Sequence, residues 1–197
     1  MEETKKFMNK IAFLDDMKRK ELLPPEEILS MLDIQDSHRI LDIGAGSGFL
    51  TIPAAGMVRE EVFALDIDPR MLQVIKAKAE EGNIDNIKLL QADIENIPLP
   101  AKSIDVVLAS LILHEVKSLS RVLKQIGSLL KTGGQLLCLE YEKEERFVQG
   151  PPMSIRIKSS QLEEELAKAG FRVTQKRFPQ EAIYIIVAEK LEDESIL

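Results

Sequence analysis

The chain reads as an α/β protein built on a doubly wound, mostly parallel sheet. Three observations point there. From His38 onward, short apolar runs alternate with amphipathic helical stretches, the pattern of successive βα units. The apolar run at 40–43 leads straight into Gly44, Gly46 and Gly48, which spells a buried strand, a tight glycine turn and the start of a helix. A second run, 62–65, ends in a carboxylate, Asp66. It lies about twenty residues past the turn, where doubly wound folds place the acid that meets a ribose.

The elements follow in order. Strand one covers 39–43 and its helix about 48–58, with Pro53 early enough that its missing N–H costs little. Strand two covers 62–66. Asp68 and Pro69 then supply an N-cap and a first-turn proline. Met71, Leu72, Val74 and Ile75 give that helix an apolar face, and it runs to Gly82. Strand three covers 87–91, after which Pro98 and Pro100 bar a helix. Strand four covers 104–108. Residues 119–130 are helical; Gly133 and Gly134 close that helix in left-handed geometry, and strand five follows at 135–140. Ser160 with Glu163 spells a capping box for a helix that Gly170 closes. The last two strands, 171–178 and 182–189, are joined too closely for a right-handed crossover and must pair antiparallel.

Ahead of the sheet, Phe7, Ile11 and Leu14, then Ile28, Leu29 and Leu32, recur at helix spacing, with a break at Leu22-Leu23-Pro24-Pro25. One domain is expected over 1–197: a helical cap at 1–36 and an α/β core at 37–197. The cap either closes over the ligand mouth as a lid or adds an ordinary helical layer.

Composition narrows the function classes. The 197 residues carry 45% hydrophobic and 30% charged side chains, an ordinary globular balance. No apolar run approaches the ~20 residues that span a bilayer, and the charged start MEETKKFMNK has no signal-peptide core. One cysteine, Cys138, cannot form an intrachain disulfide and sits among leucines as a small hydrophobe. A cytoplasmic protein is expected. The net charge of −7 gives no long-range attraction to nucleic acid. Cys and His show no metal-ligand spacing, so no metal is expected.

The glycine turn excludes two nucleotide readings. A dinucleotide fingerprint counted from Gly44 or Gly46 needs glycine where Phe49 or Thr51 stands. A Walker A loop needs Gly-Lys-Ser/Thr, which is absent. What remains is G-x-G-x-G preceded by Asp42. That pattern resembles motif I of the class I S-adenosylmethionine-dependent methyltransferases. The segments EVFALD, LLQADIENIPLP, SIDVVLASLILHEV and LLKTGGQLLCLE follow in the family's order, so the resemblance runs from about residue 40 to the end. It implies a Rossmann-like seven-stranded mixed sheet of order 3-2-1-4-5-7-6, strand seven antiparallel, with helices on both faces. It implies S-adenosyl-L-methionine as cofactor and S-adenosyl-L-homocysteine as product.

By the same resemblance the cofactor site comprises Asp42, Gly44, Ala45, Gly46, Gly48, Asp66, Ile67, Met71, Asp93, Ile94, Ala109 and Ser110. Asp66 takes the ribose, Asp93 the adenine amine with Ile94 against the ring, and Ala109 and Ser110 flank the methionine part. An Asx turn is the alternative role for Asp93. The LHEV stretch resembles small-molecule and quinone-type methyltransferases of type 11, the ubiquinone/menaquinone-biosynthesis kind. It makes His114 and Glu115 the candidate acid–base groups, the alternative being a structural histidine that caps a segment or pairs with a carboxylate. Gly150-Pro151-Pro152, followed by Arg156, resembles a segment of the same enzymes. Leu23, His114, Met153 and Arg156 are the expected substrate pocket, with a surface arginine on a structural loop as the alternative.

Absences sharpen the acceptor. The Asn/Asp-Pro-Pro-aromatic turn of base-amine methyltransferases is replaced by Ala109-Ser110-Leu111-Ile112. The several cysteines of arsenite enzymes, the carboxylate cluster of catechol enzymes and the paired-glutamate loop of arginine methyltransferases are missing. The expectation is methyl transfer to a small molecule by a monomer or homodimer, with no nucleic acid or membrane partner. A non-catalytic cofactor-binding protein and a protein or ribosomal methyltransferase are the alternatives.

Overall fold

A computed structural model describes residues 7, 8, 11, 21–147 and 150–192. Leu14 and most of the expected N-terminal helix lie outside them. The described order is α1 (Pro25–Leu29), β1 (Ile40–Ile43), α2 (Thr51–Ala55), β2 (Val62–Asp66), α3 (Pro69–Glu81), β3 (Ile87–Gln91), β4 (Ile104–Ser110), a 3₁₀ turn (Leu113–Glu115), α4 (Leu119–Leu129), β5 (Leu130–Tyr141), α5 (Ser159–Lys168), β6 (Phe171–Gln180) and β7 (Ile183–Lys190).

These strands form one seven-stranded sheet of order β3-β2-β1-β4-β5-β7-β6. The pairs from β3 to β5 are parallel, and β7 runs antiparallel to both β5 and β6. Both the order and the antiparallel strand match the expectation. β1 is buried along its whole length, as are the middles of β4 and β7, because helices cover both faces. On one face Val122, Leu123 and Ile126 of α4 and Leu162 and Leu166 of α5 pack on Leu41, Ile43 and Val107. On the other face Ile28 and Leu29 of α1 and Ala54 of α2 pack on Ile40, Val62 and Val106, and Leu72 and Ile75 of α3 pack beside Ala64. Consecutive strands on either side of β1 therefore cross over opposite faces, which opens a crevice at the carboxyl end of β1.

Local structure departs from expectation in three places. Regular helix in α2 is confined to Thr51–Ala55, with turns on both sides. β5 begins at Leu130, directly after α4, and its register against β4 shifts between Ile104 and Val106. The glycine pair thus lies inside an irregular strand, not at a helix end. Only Gly133 is left-handed, at φ +76. Gly134 is needed for space, since a Cβ there would sit 3.0 Å from the Asp105 carbonyl oxygen.

The capping box at Ser160 and Glu163 does not form. Helix α5 opens at Ser159, whose N–H is taken by the Glu142 carboxylate (3.1 Å to Oε1), and Glu163 pairs instead with Lys176 at 2.8 Å. A buried carboxylate just beyond β5 supplies the acceptor that the local motif was expected to provide.

Arg156 is 3% exposed and gathers the chain between β5 and α5. Its Nε donates to the Pro151 carbonyl at 2.8 Å, and its Nη1 reaches the carbonyls of Phe147 at 3.1 Å and Glu142 at 3.3 Å. The guanidinium also lies over the Tyr141 ring, 5.4 Å from its centroid. Removing it leaves buried carbonyls unsatisfied. Arg156→Ala is expected to cost about 2–4 kcal/mol in urea unfolding, and Arg156→Lys to recover little of that loss, since an ammonium cannot span the same carbonyls.

Candidate active site

A cavity of about 320 Å³ occupies the crevice, within the size range of small-molecule sites. Every strand end around β1 contributes to it. Gly44 and Gly46 come from the turn after β1, and Leu65, Asp66, Ile67 and Asp68 from the end of β2. Ala92, Asp93, Ile94 and Glu95 follow β3; Ser110, Leu111, Ile112, Glu115, Val116 and Lys117 follow β4.

The glycine turn is left-handed three times, at Gly44 (φ +65), Gly46 (φ +54) and Gly48 (φ +86). Side chains are strained in that region, so alternating glycines trace a path that other residues avoid. Gly44 is also crowded: a Cβ there would fall 2.4 Å from Ile112 Cγ1. Ile112 reaches this position because Leu111, at φ +56, swings the chain sideways at the end of β4 while its N–H stays on the Leu139 carbonyl at 2.8 Å. A left-handed leucine costs about 1–2 kcal/mol.

Asp66 ties two turns together. Its Oδ2 accepts the Gly46 N–H at 2.9 Å and its Oδ1 accepts the Asp68 N–H at 2.9 Å. Each oxygen keeps lone-pair capacity toward the cavity. Asp68 caps α3 through the Arg70 N–H, as expected. Asp93 makes an Asx turn to the Glu95 N–H at 2.8 Å with one of its oxygens.

Behind the turn lies a second cavity of about 30 Å³, lined by Asp42, Ala45 and Ser47 among others and shared at Gly44, Gly46 and Ser110 with the larger one. Asp42 is 2% exposed and accepts the Thr51 hydroxyl at 2.6 Å. Burial pushes its carboxyl up to about 7; the Thr51 hydrogen bond opposes the rise and the charge of Asp66 adds to it. Ser110 Oγ is the one buried side-chain polar atom without a partner among the described residues. Ser110 lines both cavities, and buried hydroxyls ordinarily have a hydrogen-bond partner.

The expected cofactor set is thus divided. Gly44, Gly46, Asp66, Ile67, Asp93, Ile94 and Ser110 line the main cavity, and Asp42 and Ala45 the small one. Gly48, Met71 and Ala109 line neither; Met71 and Ala109 are fully buried behind the site. Of the expected pocket residues Leu23, His114, Met153 and Arg156, none lines the cavity. Leu23 belongs to the core under α1, and the Arg156 guanidinium is spent on backbone carbonyls. Arg156 is therefore neither at the cavity wall nor on the surface, but a buried structural arginine. Glu115 lines the cavity, and His114 stands one residue behind it with Nδ1 2.7 Å from Glu140 Oε2. The partner Glu140, the left-handed Leu111 and the Ile112 lid on Gly44 carry no local sequence signal.

Among the described residues, the cavity lining holds Asp66, Asp68, Asp93, Glu95 and Glu115 with Lys117, and Arg70 pairs with Asp68 at the rim. Such a rim repels a pyrophosphate and suits a ligand bearing positive charge and hydroxyl or amine donors. Comparison with known proteins agrees. The methyltransferase-domain family profile matches residues 34–187. The chain belongs to that family. Its architecture is that of class I S-adenosylmethionine-dependent methyltransferases, with S-adenosyl-L-homocysteine as their product.

Relatives of this methyltransferase-domain chain include a demethylmenaquinone methyltransferase of Geobacillus sp. strain WCH70, 33% identical over 124 residues, 62% of this chain and 53% of that protein. They also include the ubiquinone/menaquinone biosynthesis C-methyltransferase UbiE of Pectobacterium carotovorum, 37% identical over 113 residues, 56% of this chain and 45% of that one. The chain spans about half the length of these curated relatives. A crystal structure of a SAM-dependent methyltransferase from Aquifex aeolicus superposes with a TM-score of 0.84 at 26% identity, covering 93% of this chain and 98% of that one.

Gly44→Ala must displace Ile112 and strain the backbone, so calorimetry should show loss of S-adenosyl-L-homocysteine binding in a chain that still folds. For Asp42, burial lifts the folded carboxyl far above its ordinary value of 3.8, to about 7. The stability contributed by its protonated form is therefore complete below about pH 4 and drains away as pH rises through about 7. Asp42→Asn keeps an uncharged side chain there. In thermal melts it should exceed the parent by roughly 2–4 °C at pH 8 and lose that advantage at pH 4.

Proposed function

We propose that this chain transfers a methyl group from S-adenosylmethionine to a small, uncharged aromatic acceptor of the quinol type. The observation that carries the reading is the cavity itself: a three-glycine turn, an oriented carboxylate at Asp66 and an unpartnered Ser110 hydroxyl converge at the one crevice where this topology binds ligands. The names of the relatives, a demethylmenaquinone and a ubiquinone/menaquinone C-methyltransferase, support the acceptor class.

When bound, the cofactor supplies a methyl group on a sulfonium, open to in-line displacement. The chain's own residues position and shield. Asp66, held by two backbone N–H groups, is aimed to accept from the ribose hydroxyls. Ile67, 67% exposed at the rim, and Ile94 offer apolar faces for the adenine, and Asp93 retains a second carboxylate oxygen for its amine. Ser110, together with the small cavity walled by Asp42 and Ala45, takes the polar end of the methionine part. The acidic rim disfavours an anionic acceptor, which fits a neutral quinol. Aligning the acceptor and excluding water then supply most of the rate.

Phe7, one of the described residues of the expected cap, reaches this rim. The Arg70 guanidinium, locked on Asp68 at the cavity rim, lies over the Phe7 ring at 4.5 Å. Phe7→Ala should weaken S-adenosyl-L-homocysteine binding about threefold in calorimetry while leaving the melting temperature in place.

The function is tested by incubating the full chain with methyl-labelled S-adenosylmethionine and a short-chain 2-prenyl-1,4-naphthoquinol. A labelled ring-methyl product is expected. Label appearing only on protein or RNA when a cell extract is the acceptor contradicts the proposal.

A further inference from the structure

Resting on the adenine role proposed for Asp93, we propose that Gln125, a residue of α4 outside the cavity, is the positioning residue that sets Asp93 and Ile94 for the adenine ring. Residues 92–99, which carry both, form neither helix nor strand. Their backbone groups have no ladder and need turn bonds or side chains as partners. Gln125, half-buried, supplies three such bonds: its amide nitrogen donates to the carbonyls of Ile94 at 3.2 Å and Glu95 at 3.1 Å, and its amide oxygen accepts the Ile97 N–H at 2.6 Å. Those neighbours fix the orientation of the amide, with acceptors facing its nitrogen and a donor facing its oxygen.

The peptide between Ile94 and Glu95 carries the effect inward. Gln125 grips its carbonyl. Its N–H, on the opposite edge of the same rigid plane, donates to Asp93 Oδ1 at 2.8 Å. Turning one edge therefore turns the carboxylate held by the other. The Asn96 N–H, on the Asp93 carbonyl at 2.8 Å, closes the turn around that plane. Asp93 is exposed, and among the described residues its carboxylate has this one hydrogen bond. An exposed carboxylate binds best when its direction is set before the ligand arrives.

The loop is anchored on two sides. Ile97 is 6% exposed and shares the core with Val122 and Ile126 of α4. On the other side the Glu95 carboxylate accepts the Lys117 N–H at 3.0 Å, and both residues line the cavity. Gln125 and Ile97 hold the loop from the core, Glu95 holds it from the cavity, and Asp93 and Ile94 stand at the bend that faces the ligand space.

The test is calorimetry of the full chain with two ligands: S-adenosyl-L-homocysteine, and its analogue carrying hydrogen in place of the adenine 6-amino group. The parent should prefer the natural ligand about tenfold, the worth of one hydrogen bond to a charged acceptor. Asp93→Ala should erase that preference. Gln125→Leu keeps the bulk and removes the amide. Gln125→Glu keeps the shape and an acceptor for the Ile97 N–H but cannot donate to the two carbonyls. Each should weaken the natural ligand about tenfold and the analogue at most about twofold, so that the preference falls to about twofold. Retained binding of the analogue shows that a variant folds; should Gln125→Leu not fold, Gln125→Glu decides. A loop that Gln125 only stabilised would lose both ligands in proportion and keep their ratio. Gln125's role is overturned if a folded Gln125 variant keeps the parent's preference, whatever its absolute affinities. A parent that binds both ligands alike, with Asp93→Ala no different, overturns the adenine role of Asp93 and the role of Gln125 with it. Neither outcome bears on the acceptor class.

Discussion

The Asp66 carboxylate is the constraint around which the site is assembled. It holds the Gly46 N–H on one oxygen and the Asp68 N–H on the other, so the turn after β1 and the turn after β2 share one anchor. From the second turn Asp68 starts α3, and Lys78 of α3 reaches back to the Ser47 carbonyl at 2.8 Å. The loop is thereby clamped from both ends. A carboxylate oriented in advance by backbone donors loses little entropy when a ligand's hydroxyls arrive. Asp66 also feeds charge into Asp42 nearby, which adds to the rise that burial produces there. Strand-end carboxylate, turn geometry and buried acid form one electrostatic unit.

The cofactor half of the molecule was legible in the amino-acid order because its signals are local. Glycines at alternate positions, an acid at a strand end and Asp68-Pro69 each state a backbone requirement within a few residues. The sheet order followed from the family resemblance and from the short β6–β7 connection. What the sequence hid depends on partners far apart. Glu140 meets His114 across 26 positions, Glu142 caps α5 across 17, and neither pair has a period or a spacing. The capping box failed because tertiary structure delivered a better acceptor to the Ser159 N–H than Ser160 and Glu163 could form between themselves. Leu111 is the opposite of a turn residue, yet its left-handed conformation is what lays Ile112 on Gly44.

The acceptor side is sparser for a chemical reason. A sulfonium arrives with its methyl group already activated, so the protein must orient and dehydrate more than it must activate. Residues that only shape a cavity can be any of several apolar types, and they leave no motif. Arg156 shows what local reading leaves out: its guanidinium holds the carbonyls of Glu142, Phe147 and Pro151.

The most direct test of the account is a calorimetric titration of the full chain with S-adenosyl-L-homocysteine and, separately, with NAD. The account predicts one-to-one binding of the thioether nucleoside, weakened by Asp66→Ala, and no heat from the dinucleotide. Saturable binding of NAD with none of S-adenosyl-L-homocysteine would contradict it.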